Sequence, residues 1–211
     1  MLLDLDGTLL DTAPDLAAAA NALRAERGLA PLAEREVRDM VGDGIEALAA
    51  RALGLASAGA EAAARLRAHY ARANGQRSRP FPGVAEGLAR LRGAGLGLAC
   101  VTNKPGEFAR PLLAATGLAA FLDAVVTPEE AAGARKPAAG PFLAACRALA
   151  VSSAEALAIG DSENDVLAAR AAGLRVWLVP YGYRRGRDVH ALGADGIVES
   201  LRHAAEAIVQ T

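Results

Sequence analysis

Residues 2–10 read LLDLDGTLL, which puts Asp4 and Asp6 one residue apart inside an apolar run and just ahead of a Gly-Thr pair. A short apolar run bounded by glycine predicts a buried strand that stops at a loop. On an extended segment, residues two apart point to the same side, so the two carboxylates face one way. Burying an unpaired carboxylate is expensive, which makes these acids poor core material. The stretch therefore predicts a strand that ends in a chemical site.

Further short apolar runs recur at residues 96–101, 124–127, 156–159 and 174–179, with a weaker one at 196–198. From residue 82 onward they alternate with helical patterns at 84–92, 107–115, 140–150 and 164–172. Strict alternation predicts an α/β fold with a doubly wound parallel sheet. Residues 13–80 break the rhythm. They read as helices at 14–26, 34–39, 45–53 and 61–73, punctuated by Pro31, Gly42, Gly44 and Gly54. RSRPFPG at 77–83 reads as a hinge back to the sheet. The expected organisation is an α/β core of residues 1–12 and 82–211, interrupted by a small all-helical cap of residues 13–81.

Composition narrows the class. With 53% hydrophobic and 22% charged residues, the chain builds a sizeable core. A formal charge of -1 offers no electrostatic reason to bind nucleic acid or an anionic membrane. Cys100 and Cys146 lie in apolar surroundings and read as reduced thiols without a disulfide framework. His69, His190 and His203 are scattered without metal-ligand spacing, and His69 reads as surface. Acids at positions 4 and 6 do not suit a signal peptide, and no apolar stretch has the ~18-residue length of a membrane span. The expectation is a cytoplasmic protein, monomer or homodimer. GAGLG at 93–97 precedes a strand instead of following one, so it is no dinucleotide fingerprint, and RRGRD at 184–188 reads as a solvated loop. Trp177 reads as core, and Asp11 and Thr12 read as a helix N-cap.

In an open α/β sheet, ligands gather outside the carboxyl ends of the strands. DLDGT, TNK at 102–104 and GDSEND at 160–165 sit at such ends, and RKP at 135–137 precedes a helix. Asp4, Asp6 and Asp161 would repel one another in a shared pocket unless a cation lay among them. Oxygen-only donors favour a hard ion, Mg²⁺, which also binds substrate phosphate. Thr102 and Lys136 supply the hydroxyl and the point charge that hold a phosphoryl group. Asp165, four residues after Asp161, reads equally as a helix cap or as part of the metal site. The chain has 23 basic residues, and only Lys104 and Lys136 are lysine. A composition that otherwise uses arginine implies that a compact ammonium is specifically required at these two places, more firmly at Lys136.

DLDGTLLD, VTN, the KP lysine and GDSEND resemble, in order, the four motifs of the haloacid dehalogenase superfamily, over nearly the whole chain. PGVAEGLARLRGAGLGLACVTNKP, GDSENDVLAARAAG and YGY are similar to its bacterial phosphoglycolate phosphatase branch. The resemblance implies a Rossmann-like core and phosphomonoester hydrolysis through an aspartyl-phosphate. It makes Asp4 the nucleophile and Asp6 the acid and base. Mg²⁺ would be held by the Asp4 carboxylate, the Asp6 main-chain carbonyl and Asp161, with Asp165 acting through water or behind the ligands. Thr102, the Asn103 backbone and Lys136 would hold the phosphoryl oxygens, with Gly7 and Thr8 offering backbone amides.

Gly42-Asp43-Gly44 reads either as a turn between helices or, with Gly42 facing the site, as a substrate loop whose amides favour an anion. Arg38, beside it, is a candidate partner for a substrate carboxylate. The expected substrate is a small phosphorylated metabolite, 2-phosphoglycolate first, with a sugar phosphate, a nucleotide or a sugar phosphomutase reaction as alternatives. Two departures from the family pattern stand out. KPAA replaces the usual KPxP at 136–139, and the first strand is short, which predicts residues upstream of Met1.

Overall fold

The computed structural model describes residues 1–210. The chain opens with β1 (Leu2–Leu3), β2 (Leu10–Asp11) and four helices, α1 (Ala13–Ala25), α2 (Glu34–Arg38), α3 (Ile45–Leu53) and α4 (Gly59–Ala73). It returns through β3 (Arg79–Pro80) into α5 (Val84–Gly93), β4 (Ala99–Val101), α6 (Gly106–Ala115) and β5 (Ala124–Val126). The remainder is α7 (Gly140–Ala148), β6 (Leu157–Gly160), α8 (Glu163–Ala171), β7 (Arg175–Leu178), β8 (Gly196–Ile197) and α9 (Leu201–Val209).

Six strands form one parallel sheet in the order β5-β4-β1-β6-β7-β8. Leu3 of β1 is in register with Cys100 on one side and Ile159 on the other. The chain winds outward from β1 through β4 and β5, then returns to β6 on the opposite side of β1. That reversal puts the crevice beyond the carboxyl end of β1, where Asp4 and Asp6 lie.

The two leucines of β1 face opposite layers, as strand geometry requires. Leu2 packs with Phe142, Val166 and Val176 on the α7/α8 side, and Leu3 with Leu88, Leu112 and Leu201 on the α5/α6/α9 side. The helical insert has a third core of its own, built from Leu16, Leu23, Val37, Leu48, Leu66 and Tyr70. Phe108 and Tyr183 reach into it from the sheet portion. Ala13, Ala17 and Ala20 belong to that buried face of α1, and their small side chains let the helices lie close.

Each predicted strand and helix exists, with five of the six sheet strands shorter than expected, β1, β5 and β8 at their ends, β4 at its start and β7 at both. Three features were not foreseen. Residues 77–83 are not a free hinge: Arg79 and Pro80 pair antiparallel with Asp11 and Leu10 to make a two-stranded ribbon below the insert. Asp15, fully buried in the first turn of α1, clips this junction by accepting the backbone amides of Gly75 (2.9 Å), Arg77 (2.8 Å) and Ser78 (3.0 Å) and the Ser78 hydroxyl. The chain also closes with helix α9. Trp177 is only half-buried on β7, with its indole against Gly196. His69 lies on α4, half-buried, with its ring 2.9 Å from Glu26. No helix of the described residues is long and apolar enough to cross a membrane.

Candidate active site

The end of β1, the β4–α6 loop, the segment before α7 and the β6–α8 loop meet over the sheet, and Lys136 sits where they cross. Its Nζ donates to Asp4 Oδ1 at 2.6 Å, to Asp165 Oδ1 at 2.6 Å and to the Val101 carbonyl at 2.9 Å. All three donors of the ammonium are therefore placed. Lys136, Asp4, Asp161 and Asp165 are all buried. Burial alone would lower the Lys136 pKa, but the carboxylates of Asp165 and Asp4 outweigh it and raise it.

Asp4, Asp161 and Asp165 bring carboxylate oxygens within 4.8 Å of one another. Burial, with the Asp165 and Asp6 charges, pushes Asp4 up to about 7 against the opposing pull of Lys136. Burial and the charges of Asp4 and Asp165 likewise raise Asp161 well above the ordinary carboxylate range. Three ionised carboxylates against one ammonium leave two negative charges uncompensated. That excess and an all-oxygen donor set suit a hard divalent cation.

The surrounding bonds hold these groups in place. Thr8 Oγ1 donates to Asp161 Oδ1 at 3.0 Å, and the Tyr183 amide donates to Asp161 Oδ2. Asp165 Oδ2 accepts from the Ser162 amide (3.1 Å), the Ser162 hydroxyl (2.7 Å) and the Asp161 amide (3.3 Å). Asp165 thus completes the capping box of α8 with Ser162 and also pairs with Lys136. Asn103 braces the loops: its Oδ1 accepts the Lys136 amide at 2.8 Å, and its Nδ2 donates to the carbonyls of Lys136 and Gly42, each at 2.8 Å.

Asp6 is held differently. Lys104 Nζ lies 2.8 Å from Asp6 Oδ1 and 2.9 Å from Oδ2, and Thr12 Oγ1 donates to Oδ1 at 2.7 Å. Its carboxylate is not in the acidic cluster. Burial would lower the Lys104 pKa, yet the Asp6 charge raises it. Thr12 stands at the N-cap position of α1 without a side-chain cap bond, so the expected capping role gives way to this contact. Asp11 does not cap either. It accepts from Arg38 at 2.6 Å and from the Tyr183 hydroxyl.

Two further expectations change. The Gly7 amide donates to the Leu10 carbonyl at 2.9 Å and the Thr8 amide to the Leu5 carbonyl at 3.3 Å, so both are spent inside the turn. Gly7 is required for another reason: at φ +92 an added Cβ would stand 2.3 Å from Asp161 Oδ2. Gly42 lines the cavity, and its carbonyl accepts from Asn103 at 2.8 Å and from Asn164 at 3.4 Å.

Asp4, Asp6, Thr102, Asn103, Lys104, Lys136 and Asp161 line one cavity of about 60 Å³, closed on the insert side by Leu16, Val41, Ile45, Leu48 and Tyr70, with Phe108 of α6 beside them. No arginine lines it among the described residues. Arg38 pairs with Asp11 and Arg51 with Asp43, so the insert arginines nearest the site are engaged elsewhere. Sequence reasoning left Lys104 without a role and missed Tyr70 and the hydroxyl of Tyr183. The scarcity of lysine was the one signal that pointed to Lys104.

A family profile described as haloacid dehalogenase-like hydrolase matches residues 1–179. The chain is 44% identical over 212 residues to the phosphoglycolate phosphatase of Thiobacillus denitrificans, covering 97% of this chain and 93% of that protein. It is also 38% identical over 216 residues to the N-acetylmuramic acid 6-phosphate phosphatase of Pseudomonas aeruginosa, covering 99% and 93%. Among solved structures, a predicted phosphoglycolate phosphatase from Haemophilus somnus superposes with a TM-score of 0.88 at 28% identity, over 98% of this chain and 96% of that one. The chain therefore belongs to the haloacid dehalogenase-like hydrolases.

Proposed function

We propose that the protein is a phosphoric monoester hydrolase whose substrate is 2-phosphoglycolate, and that Asp4 is its nucleophile. The observation that carries the chemistry is the set of three buried carboxylates around one lysine, which leaves room in charge for a divalent cation and a phosphoryl group. Asp4 and Asp161, with the Asp6 main-chain carbonyl, would hold Mg²⁺. Asp165 would stand behind them, tied to Lys136 and to the start of α8 through Ser162. The bound cation would supply charge neutralisation for the phosphoryl oxygens.

In the first step, an Asp4 carboxylate oxygen attacks phosphorus while the bond from phosphorus to the ester oxygen breaks. Asp6, in its carboxylic-acid form at this step, delivers its proton to the departing oxygen, and Lys104 and Thr12 stabilise the carboxylate left behind. In the second, Asp6 takes a proton from a water whose oxygen attacks the aspartyl-phosphate, freeing phosphate and the Asp4 carboxylate. Lys136, its protons directed at Asp4, Asp165 and the Val101 carbonyl, brings positive charge to the phosphoryl oxygens, Thr102 offers them its hydroxyl, and Asn103 keeps the Lys136 loop and the Gly42 loop in register.

Residues 13–81 serve as a cap over the core of residues 1–12 and 82–211. Their separate apolar core and the cavity walled by both parts support this division. The substrate choice is supported by the phosphoglycolate phosphatases at 44–45% identity. The relative that acts on N-acetylmuramic acid 6-phosphate makes a sugar phosphate the second reading.

The test is Mg²⁺-dependent phosphate release from 2-phosphoglycolate, N-acetylmuramate 6-phosphate, a hexose phosphate and a nucleotide, compared as kcat/KM. The acid should lead. A sugar phosphate or nucleotide ahead would refute the substrate, and no release from any ester would refute the chemistry.

A further inference from the structure

The insert-side wall of the cavity presents apolar side chains at Leu16, Val41, Ile45 and Leu48, with Tyr70 among them. Two buried side-chain polar atoms among the described residues have no hydrogen-bond partner, the Tyr70 hydroxyl and Asn74 Oδ1. Only Tyr70 of that pair lines the cavity. The other phenol in the wall, Tyr183, spends its hydroxyl on the amides of Thr12 (2.8 Å) and Ala13 (2.9 Å) and on Asp11. Tyr70 is 1% exposed, so water does not compensate its hydroxyl from outside. A buried donor without an acceptor costs stability, and a ligand that brings the acceptor recovers it.

The group is also pre-positioned. The Tyr70 ring packs edge-on against Phe108 with centroids 4.9 Å apart, and the Lys104 ammonium stands 4.8 Å from its centroid. Two of the three ammonium protons go to Asp6, and the third side of the ammonium faces the Tyr70 oxygen, which leaves the phenol proton as the part of the hydroxyl that lacks an acceptor. A rigid phenol donor beside a lysine is a setting for an anionic acceptor. Burial pushes the phenol up to about 12, so it remains a donor through the neutral range.

We propose that the Tyr70 hydroxyl donates to the carboxylate end of the substrate, which makes Tyr70 a specificity-determining residue. This rests on the substrate class proposed above and assigns the acid recognition to α4, not to the insert arginines. With the phosphoryl group at Asp4 and Lys136, a two-carbon acid extends its carboxylate toward the wall that carries Tyr70.

The experiment compares 2-phosphoglycolate with ethyl phosphate, which lacks the carboxylate, in wild type and Tyr70→Phe. The variant should lose about tenfold of the wild-type preference for the acid, chiefly through KM, as expected for one hydrogen bond to a charged group. Its ligand-free thermal midpoint should change little, because the ring contact with Phe108 stays and the phenol proton that goes has no acceptor. A variant that keeps the full wild-type preference overturns the inference while leaving the substrate class intact. A wild type that shows no preference for the acid refutes the substrate reading itself, and the role of Tyr70 falls with it.

Discussion

Lys104 Nζ lies 2.8 Å and 2.9 Å from the two oxygens of Asp6, while Lys136 Nζ lies 2.6 Å from Asp4. The only two lysines in the chain each hold one of the two aspartates of the first strand loop. Lys104→Met should therefore cost roughly 3–5 kcal/mol of stability, because it strands a largely buried carboxylate. Adding Asp6→Asn should recover part of that loss. Denaturant midpoints of the two single variants and the double variant measure the coupling, and strict additivity would count against it.

Asp4→Asn should lower kcat by at least a thousandfold, about 4 kcal/mol on the barrier, since an amide does not attack phosphorus. The fold should persist, because Asp4 as a buried carboxylate is already disfavoured by its surroundings. Single-turnover kinetics and a thermal scan check both halves. Turnover within tenfold of wild type would end the covalent mechanism.

Lys136→Arg keeps the charge and should still lose roughly a hundredfold or more in kcat/KM. The ammonium makes three short bonds in a buried site with Phe142 alongside, and a planar fork cannot direct its donors to all three acceptors. Near-normal kinetics would show that charge alone suffices.

For metal-free protein, the raised Asp4 has a definite pH signature. Its carboxyl titrates at about 7 in the fold against 3.8 unfolded, so its contribution to stability is complete below about pH 4 and is lost as pH rises through 7. Asp161 is shifted in the same direction. The thermal midpoint in chelator should fall between pH 4 and 7, beyond the change seen in Asp4→Asn. Mg²⁺ added at pH 7.5 should raise it by mass action, with less effect at pH 5. A chelated protein whose midpoint climbs across that window contradicts the burial argument.

Asp43 ties the insert to the sheet portion. It accepts from Arg51 on α3, from Arg185 and from Asn164 Nδ2 at 2.7 Å. Burial would raise its pKa, and these bonds hold it lowered. Asp43→Ala should raise KM by about twofold to fivefold, the scale of a half-exposed ion pair, with a smaller change in kcat. Steady-state kinetics decide it, and an unchanged KM would remove Asp43 from closure over the site.

Asp4, Asp161 and Lys136 were legible in the sequence because strand ends collect chemistry and because lysine is rare here. The same logic placed the strands of the sheet, whose apolar runs are short and bounded by breakers. Contacts between segments far apart in sequence were not legible. Nothing around residue 70 announces that a tyrosine on an amphipathic helix faces the end of β1, and nothing near Thr12 announces a bond to Asp6 instead of a cap. The arginine expectation failed for a related reason: charge near a loop does not reveal that Asp11 and Asp43 have already taken it.

The paired strands β2 and β3 mean that the chain leaves the sheet portion and comes back at the same place, Leu10 beside Pro80 and Asp11 beside Arg79. Antiparallel partners stand only about 5 Å apart, so a tight turn of a few residues would bridge them once everything between was removed. Asp15 lies within the removable stretch together with the amides it binds, and its carboxylate would leave no orphaned partner behind. The helices thus form a cassette with adjacent ends, and the junction at this ribbon is the natural splice point for exchanging one helical insert for another on an unaltered sheet.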